Sequence, residues 1–354
     1  MRQFPPGLTA VESAYTGGMA QQNADQAVHD AARAGLTDDL AEMLAMDASL
    51  IDARGIDART PLHCAGTVAV AALLLDHGAG IDARDEDHDS TPAQWRIGES
   101  PDVAEFLLER GAKADIFLAA ALGDLTLAER LVTEDRGCLA HRIGKPPKFP
   151  PVGHQGRGGT IYQWTLRFNS YPHQIALMKG RQAMFDFLYA ESDVATRLLV
   201  NCVLARRAEA EAIAKEHPEI VPELPDVDRE LVAKYCWETN SDYDAVKLML
   251  DLGFPVAHPE HSHGYTPLHN AAWEGSGDLV DLLISRGHPV DIRDPRYDAT
   301  PLGYALYDCL VERRHPEGEF ARVVKALLEA GSPLKGVQYP TGDAAIDEVL
   351  QAYF

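Results

Sequence analysis

The sequence is short of aromatic residues, cysteine and positive charge, and each shortage removes a class of reading. Aromatics make up 7% of the chain, with only four tryptophans, so rings that recur at equivalent places carry information. The five cysteines (Cys64, Cys138, Cys202, Cys236 and Cys309) are odd in number and widely spaced. That pattern argues against a disulfide framework and against a Cys-x-x-Cys metal site, and they read as reduced and buried. Lys and Arg number 32 against 54 Asp and Glu, a net charge of −22. A surface of that sign repels nucleic acid and anionic membrane and favours a cationic or neutral partner. No apolar run approaches the ~20 residues of a membrane span, and "MRQFPPGLTAVESAYTGGMAQQ" lacks the apolar centre of a signal peptide. A cytoplasmic protein is the expectation.

What is present is regularity. In "HGYTPLHNAAWEGSGDLVDLLISRGHPVDIRD", His263 to Asp294, Pro267 suits a first helical turn and Gly275 the residue just past a helix end. Asp278 can then cap a second helix whose Leu279, Val280, Leu282 and Leu283 give an apolar face, and Gly287 stops it. Two such short helices are marginal alone and need neighbours. The pattern does recur. Thr-Pro stands at Thr60-Pro61, Thr91-Pro92, Thr266-Pro267 and Thr300-Pro301, and Ile81 to Asp85 matches Val290 to Asp294. Thr60 to Thr91 is 31 residues, Thr266 to Thr300 is 34, and Gly78 to Gly111 is 33.

A period near 33 with T-P-L-H and A-A-x-x-G resembles the ankyrin repeat. The resemblance implies an all-α solenoid of about nine helix-turn-helix repeats with short hairpin tips, and it makes His63 and His269 structural, bonding the local turn and the next repeat. On this reading residues 1–25 are an N-terminal tail, 26–142 hold repeats one to four, and 171–340 hold repeats five to nine. Residues 341–354 form a closing helix. Between the two arrays, residues 143–170 are a Pro/Gly-rich insertion whose Lys145, Lys148, Arg157 and Arg167 have no acidic neighbour in sequence. These four form a candidate anion-binding set, or fold back on the acidic repeats. The segments Tyr162-Gln163-Trp164 and Pro172-His173-Gln174 are also similar to a "YQW…PHQ" pattern of bacterial ankyrin proteins, a likeness that implies no activity.

Several motifs have bland readings. Asp85, Asp87 and Asp89 alternate as in a calcium loop, but Ser90 and Arg96 stand where an EF-hand needs Gly and Glu, so a solvated hairpin tip is expected. "GHQGRGGT", Gly153 to Thr160, has Gly159 where a phosphate-binding loop needs lysine. His258, His261 and His263 are close enough in sequence to ligate a metal, but no carboxylate or cysteine partner is fixed by spacing. Neither a metal nor any other cofactor is expected.

The strongest functional signal comes from aligning repeats. The two residues between A-A and G, which in ankyrin proteins face the groove, are Trp273-Glu274 in repeat eight. Their equivalents are Trp237-Glu238 in repeat seven and Tyr307-Asp308 in repeat nine. A ladder of rings edged with carboxylates suits a cationic protein or peptide, by ion pairing and cation–π attraction. Tyr265 and Tyr297 complete the expected contact set. The function expected is therefore a non-enzymatic scaffold. The rival is an enzyme or small-molecule receptor with a His/Trp-lined pocket between the insertion and the groove, using His154, His173, His261 and Tyr265, with a metal on His258, His261 and His263 as its metal-dependent form.

Overall fold

In a computed structural model of the protein, residues 25–151, 156–237, 240–260 and 263–354 are described. No strand forms among them, and the chain divides into two compact units, Met1–Ala190 and Glu191–Phe354. In the first unit residues 25–34 pair with Thr37–Met46, and the short 3-10 turn Pro61–Cys64 with Val68–Asp76. Pro92–Glu99 pairs with Pro101–Glu109, Ile116–Leu122 with Leu125–Glu134, and Pro172–Met178 with Gln182–Glu191. In the second unit Val194–Val203 pairs with Arg207–Glu216, and Leu231–Lys234 with Tyr243–Asp251. Pro267–Trp273 pairs with Gly277–Ser285, and Pro301–Tyr307 with Phe320–Glu329. The described residues thus carry nine helical pairs. A further helix, Ala344–Leu350, buries Ile346 and Leu350 against Phe320–Glu329.

Local chemistry explains the pairs. Thr91 accepts from the Gln94 amide while Gln94 Oε1 accepts from the Thr91 amide, and Pro92 supplies a preset φ to the first turn. Asp115, Asp124, Asp193 and Asp242 cap four other helices by the same means. Each pair buries one apolar stripe. Leu74, Ile97, Leu107 and Leu118 are fully buried in the first unit, as are Leu231, Leu268, Leu283 and Leu302 in the second. At about 1.5–3 kcal/mol per buried aliphatic side chain, this seam and not helix propensity holds such short helices.

The turns between repeats are closed by one recurring backbone bond. It runs from Gly55 N to Arg59 O, Asp85 N to Ser90 O, Glu260 N to Tyr265 O and Asp294 N to Ala299 O, at 2.9–3.2 Å. Asp85 and Asp294 turn their carboxylates inward to accept backbone N–H groups of their own tips. The "DEDHDS" tip is therefore less solvated than its composition implies, since Asp85 is buried and also accepts from Trp95 Nε1 at 2.7 Å.

Repeat two departs from the others. Its first helix is a single turn because Gly66-Thr67 arrives early, and Thr67 already caps the next helix by accepting from the Val70 amide. Repeat seven is also clipped, so Trp237 lies beyond its helix end, whereas Trp273 and Tyr307 are each the last residue of a first helix.

The described part of the insertion packs within the first unit. Its Gly158 amide donates to Asp87 O and Oδ1, both at 3.0 Å, and a Cβ at Gly158 would collide with the Asp87 carboxylate. Those glycines therefore permit close approach to a hairpin tip, and the likeness to a phosphate loop has no other role here. Tyr162 is fully buried and donates to Asp115 Oδ2 at 2.7 Å, while its ring tilts against Phe117 and Phe149. Trp164, two residues on, is 69% exposed. Repeats four and five still meet, through Ile116–Leu122 against Pro172–Met178, so the insertion is looped out of a continuous stack.

Candidate functional site: an aromatic cavity in the second unit

The T-P-L-H histidines come first, because one of them, His269, packs edge-on against the cavity residue Tyr304 without lining the cavity itself. His269 Nδ1 lies 2.7 Å from Thr266 Oγ1 and its Nε2 lies 3.2 Å from Ala299 O in the next hairpin. His63 repeats this with Thr60 at 2.8 Å and Ser90 O at 3.1 Å. Burial pushes both imidazoles down, His63 to about 4, so they stay neutral and tie neighbouring repeats together. His29 makes the same link to Arg59 O at 2.8 Å, which marks it as the histidine of repeat one, hidden in sequence by the absence of Thr-Pro.

Past His269 the chain builds a cavity of about 570 Å³. Trp273 and Tyr307 reach it from the ends of two first helices, Tyr304 from one turn earlier, and Tyr265 and Tyr297 from hairpin tips, with Trp237 completing the wall. Trp273 stacks with Tyr307 at a 6.1 Å centroid distance and meets Tyr304 edge-on at 5.8 Å, and Tyr265 meets Tyr304 edge-on at 5.5 Å. Six rings from three repeats thus line one space in a protein with few rings to spare. Edge-on packing holds each ring in place at the cost of little further burial.

The rings expected from the repeat alignment are brought together, but the acids are not. Asp308 is 0% exposed and accepts from the Arg314 and His315 amides, both at 3.2 Å, so it closes the extra stretch of repeat nine upon itself. Glu274 has an 11% exposed side chain and pairs with His315 at 3.5 Å. Glu238 lies outside the described residues. The charged lining comes from residues that the alignment did not single out: Glu312, which accepts from Tyr307 and Arg314, and Arg296 and Arg314 themselves. Tyr304 and Asn270 were also missed. Their signal was in the sequence, at the turn-facing positions of T-P-L-x-Y and T-P-L-H-N, but only the fold shows that these positions share one wall.

The other candidates separate. His173 is fully buried, set edge-on against Phe185, and burial pushes it to about 4. His154 and His261 lie outside the described residues. His263 stacks on Tyr265 at 5.4 Å and sits 3.6 Å from Glu260, while His258 is half-buried; among the described residues no group of three or more His, Cys, Asp or Glu is placed to hold a metal. In the insertion Lys148 pairs with Asp135 at 3.4 Å, Arg157 is exposed, and Lys145 and Arg167 are half-buried. Burial raises the thiols of Cys138, to about 11, and Cys202, to about 12, so neither is a nucleophile at neutral pH.

Comparison with known proteins bears on the repeat directly. The family model of the ankyrin repeat matches residues 57–86 and 263–295, the second of these covering the stretch that carries Tyr265, His269 and Trp273. The chain carries ankyrin repeats. The ankyrin-repeat domain of human ASB11, known from a crystal structure, is 19% identical, with 86% of this chain and 98% of that one covered and a TM-score of 0.30. No curated protein matches the chain. Among the described residues no helix is long and apolar enough to cross a membrane.

One prediction concerns the ankyrin repeats of the first unit. Asp115 is half-buried and accepts from four donors, the amides of Phe117 and Leu118, Gln94 Nε2 and Tyr162 Oη. Removing the hydroxyl in Tyr162→Phe leaves one of its acceptor sites unfilled, which is expected to weaken docking of the insertion by about 1–2 kcal/mol. Tryptic cleavage after the half-buried Arg167 should then quicken on the order of tenfold, as the open form becomes more populated. Unchanged cleavage would show that the hydroxyl contributes nothing.

Proposed function

We propose that this protein is a non-enzymatic scaffold that holds a protein or peptide partner at the aromatic cavity of its C-terminal unit. Ankyrin repeats bind proteins in general, through the first helices and hairpin tips. One observation carries the finer reading: rings from repeats seven, eight and nine converge on one cavity at that face. In the first unit the corresponding elements are already engaged in cis. There the insertion bonds the hairpin tip at Asp87 and His88 and the helix start at Asp115. The same kind of surface is thus occupied by the chain's own segment in one unit and lined with half-exposed rings in the other.

The cavity's size lies within the range of small-molecule sites. Among the described residues its lining pairs no nucleophile with a base. A random-peptide display selection on the full-length protein tests the scaffold reading. Recovery of peptides that bind the full-length protein and lose binding to its Trp273→Ala variant is the expected outcome. Selection of peptides that bind the Trp273→Ala variant equally well would remove the cavity from the account.

A further inference from the structure

We infer that the cavity receives an acidic side chain of the partner peptide, seated in the space that Gly303 leaves open. This rests on the reading of the cavity as the partner site and adds the chemistry of what enters it.

The first observation is a comparison among repeats of the same chain. In the four repeats besides repeat nine whose first helix opens on proline, the backbone N–H of the residue before that helix donates to a side chain three residues on. Thr60 donates to His63 Nδ1 at 3.1 Å and Thr91 to Gln94 Oε1 at 2.9 Å. Tyr171 donates to Gln174 Oε1 at 3.0 Å and Thr266 to His269 Nδ1 at 3.3 Å. In repeat nine that third residue is Gly303. Among the described residues the Thr300 N–H has no such acceptor, although Thr300 is buried. A Cβ at Gly303 would meet only Ala299 Cβ at 3.6 Å and Thr300 Oγ1 at 3.8 Å, which are ordinary contacts. The place of the missing side chain is therefore open, and Ala299 and Gly303 both line the cavity.

The second observation is the cation beside that space. Tyr304 is 8% exposed, and its hydroxyl lies beside the Tyr265 hydroxyl and the Asp294 carboxylate, so it is not a free donor. Arg296 is exposed over the Tyr297 ring, 5.1 Å from its centroid, with no carboxylate in ion-pair range among the described residues. The single lining carboxylate, Glu312, is already engaged by Arg314 and Tyr307. One backbone donor without an acceptor among the described residues, the Thr300 N–H, and the Arg296 cation border the space, and a carboxylate, which only accepts, is the side-chain group that complements them. A cationic side chain would instead meet two guanidinium groups and a carboxylate that is already paired. The chain's net charge of −22 opposes an acidic ligand at a distance, but screening within about 10 Å at 0.1 M salt leaves the contact to Arg296 and Arg314.

The test is the same display selection, on the full-length protein and on Gly303→Gln and Gly303→Ala. Gly303→Gln restores the side chain found at this position in repeats three and five and replaces a helical glycine, so its melting temperature should be equal or higher. Its side chain nevertheless fills the seat. The expected result is enrichment of Asp or Glu at one fixed peptide position, on the order of tenfold weaker binding of those peptides to Gly303→Gln, and much less change with Gly303→Ala. Arg296→Ala should reduce the preference for acid over amide at that position. Peptides that depend on Trp273 but show Lys, Arg or no charge preference, or that bind Gly303→Gln unchanged, would overturn this inference while leaving the cavity as the partner site. Failure to enrich any peptide would count against both.

Discussion

Trp273→Ala is expected to weaken a peptide selected on the full-length protein by about 2 kcal/mol, roughly 30-fold, with the fold retained. The ring is half-buried and touches Tyr304, Tyr307 and His315, all of which face or flank the cavity. The apolar seam of the same helix is carried by other residues, Leu268, Ala271 and Ala272, each fully buried. Truncation should therefore remove contact area from the ligand and little from the core. Trp273→Phe should recover much of the loss, because a smaller ring still packs edge-on against Tyr304. Calorimetric titration of both variants, beside their melting curves, decides the matter. If Trp273→Ala unfolds repeat eight, or if the indole is inaccessible to an aqueous quencher in the free protein, the ring is core and the site must be abandoned.

A second large effect is expected at Lys234 and Glu260. Glu260 occupies the hairpin position held by Asp85 and Asp294 elsewhere, but its side chain is fully buried and forms an ion pair with Lys234, itself 3% exposed, with His263 at 3.6 Å on its other oxygen. Lys234→Met leaves a buried carboxylate without its main partner, and breaking such a pair costs about 3–5 kcal/mol. The double variant Lys234→Met/Glu260→Leu removes both charges and should regain most of that loss. Hydrogen exchange of amides in residues 231–285 reads the effect locally. A double variant no more stable than Lys234→Met would show that the pair is not the source.

The same pair predicts a response to acid. Burial works to raise the Glu260 carboxyl, but the neighbouring His263 and the Lys234 ammonium outweigh it and hold the group below the usual glutamate value of 4.5. A carboxyl depressed in the folded state adds stability that is complete above the unfolded value and is lost as the pH falls through the folded one. Protection of the 231–285 amides should therefore decline below about pH 4.5 in the native protein and decline less steeply in the double variant.

Much of this protein was determined by its sequence alone, because repetition makes local signals agree. Thr-Pro starts, left-handed glycine stops and a period near 33 specify helical pairs that cannot be stable singly, so stacking follows from the chain without knowledge of any long-range contact. The structural role of His63 and His269, and the equivalence of Trp273 and Tyr307, were legible for the same reason. What only the tertiary structure decided lies where repeats deviate. Asp308 sits at a groove position by alignment, yet an extra stretch of chain after it offers amides to its carboxylate, and a buried acid goes to the nearest donors. Tyr162 and Trp164 look alike in sequence, but only one finds an acceptor, Asp115, 47 residues away, so one ring is anchored and the other left in water. Gly303 reads as a weak helix residue until the fold places it beside Ala299 in the wall of the cavity. Local propensity sets which elements form, whereas a site depends on distances between residues far apart in the chain, which no periodicity records.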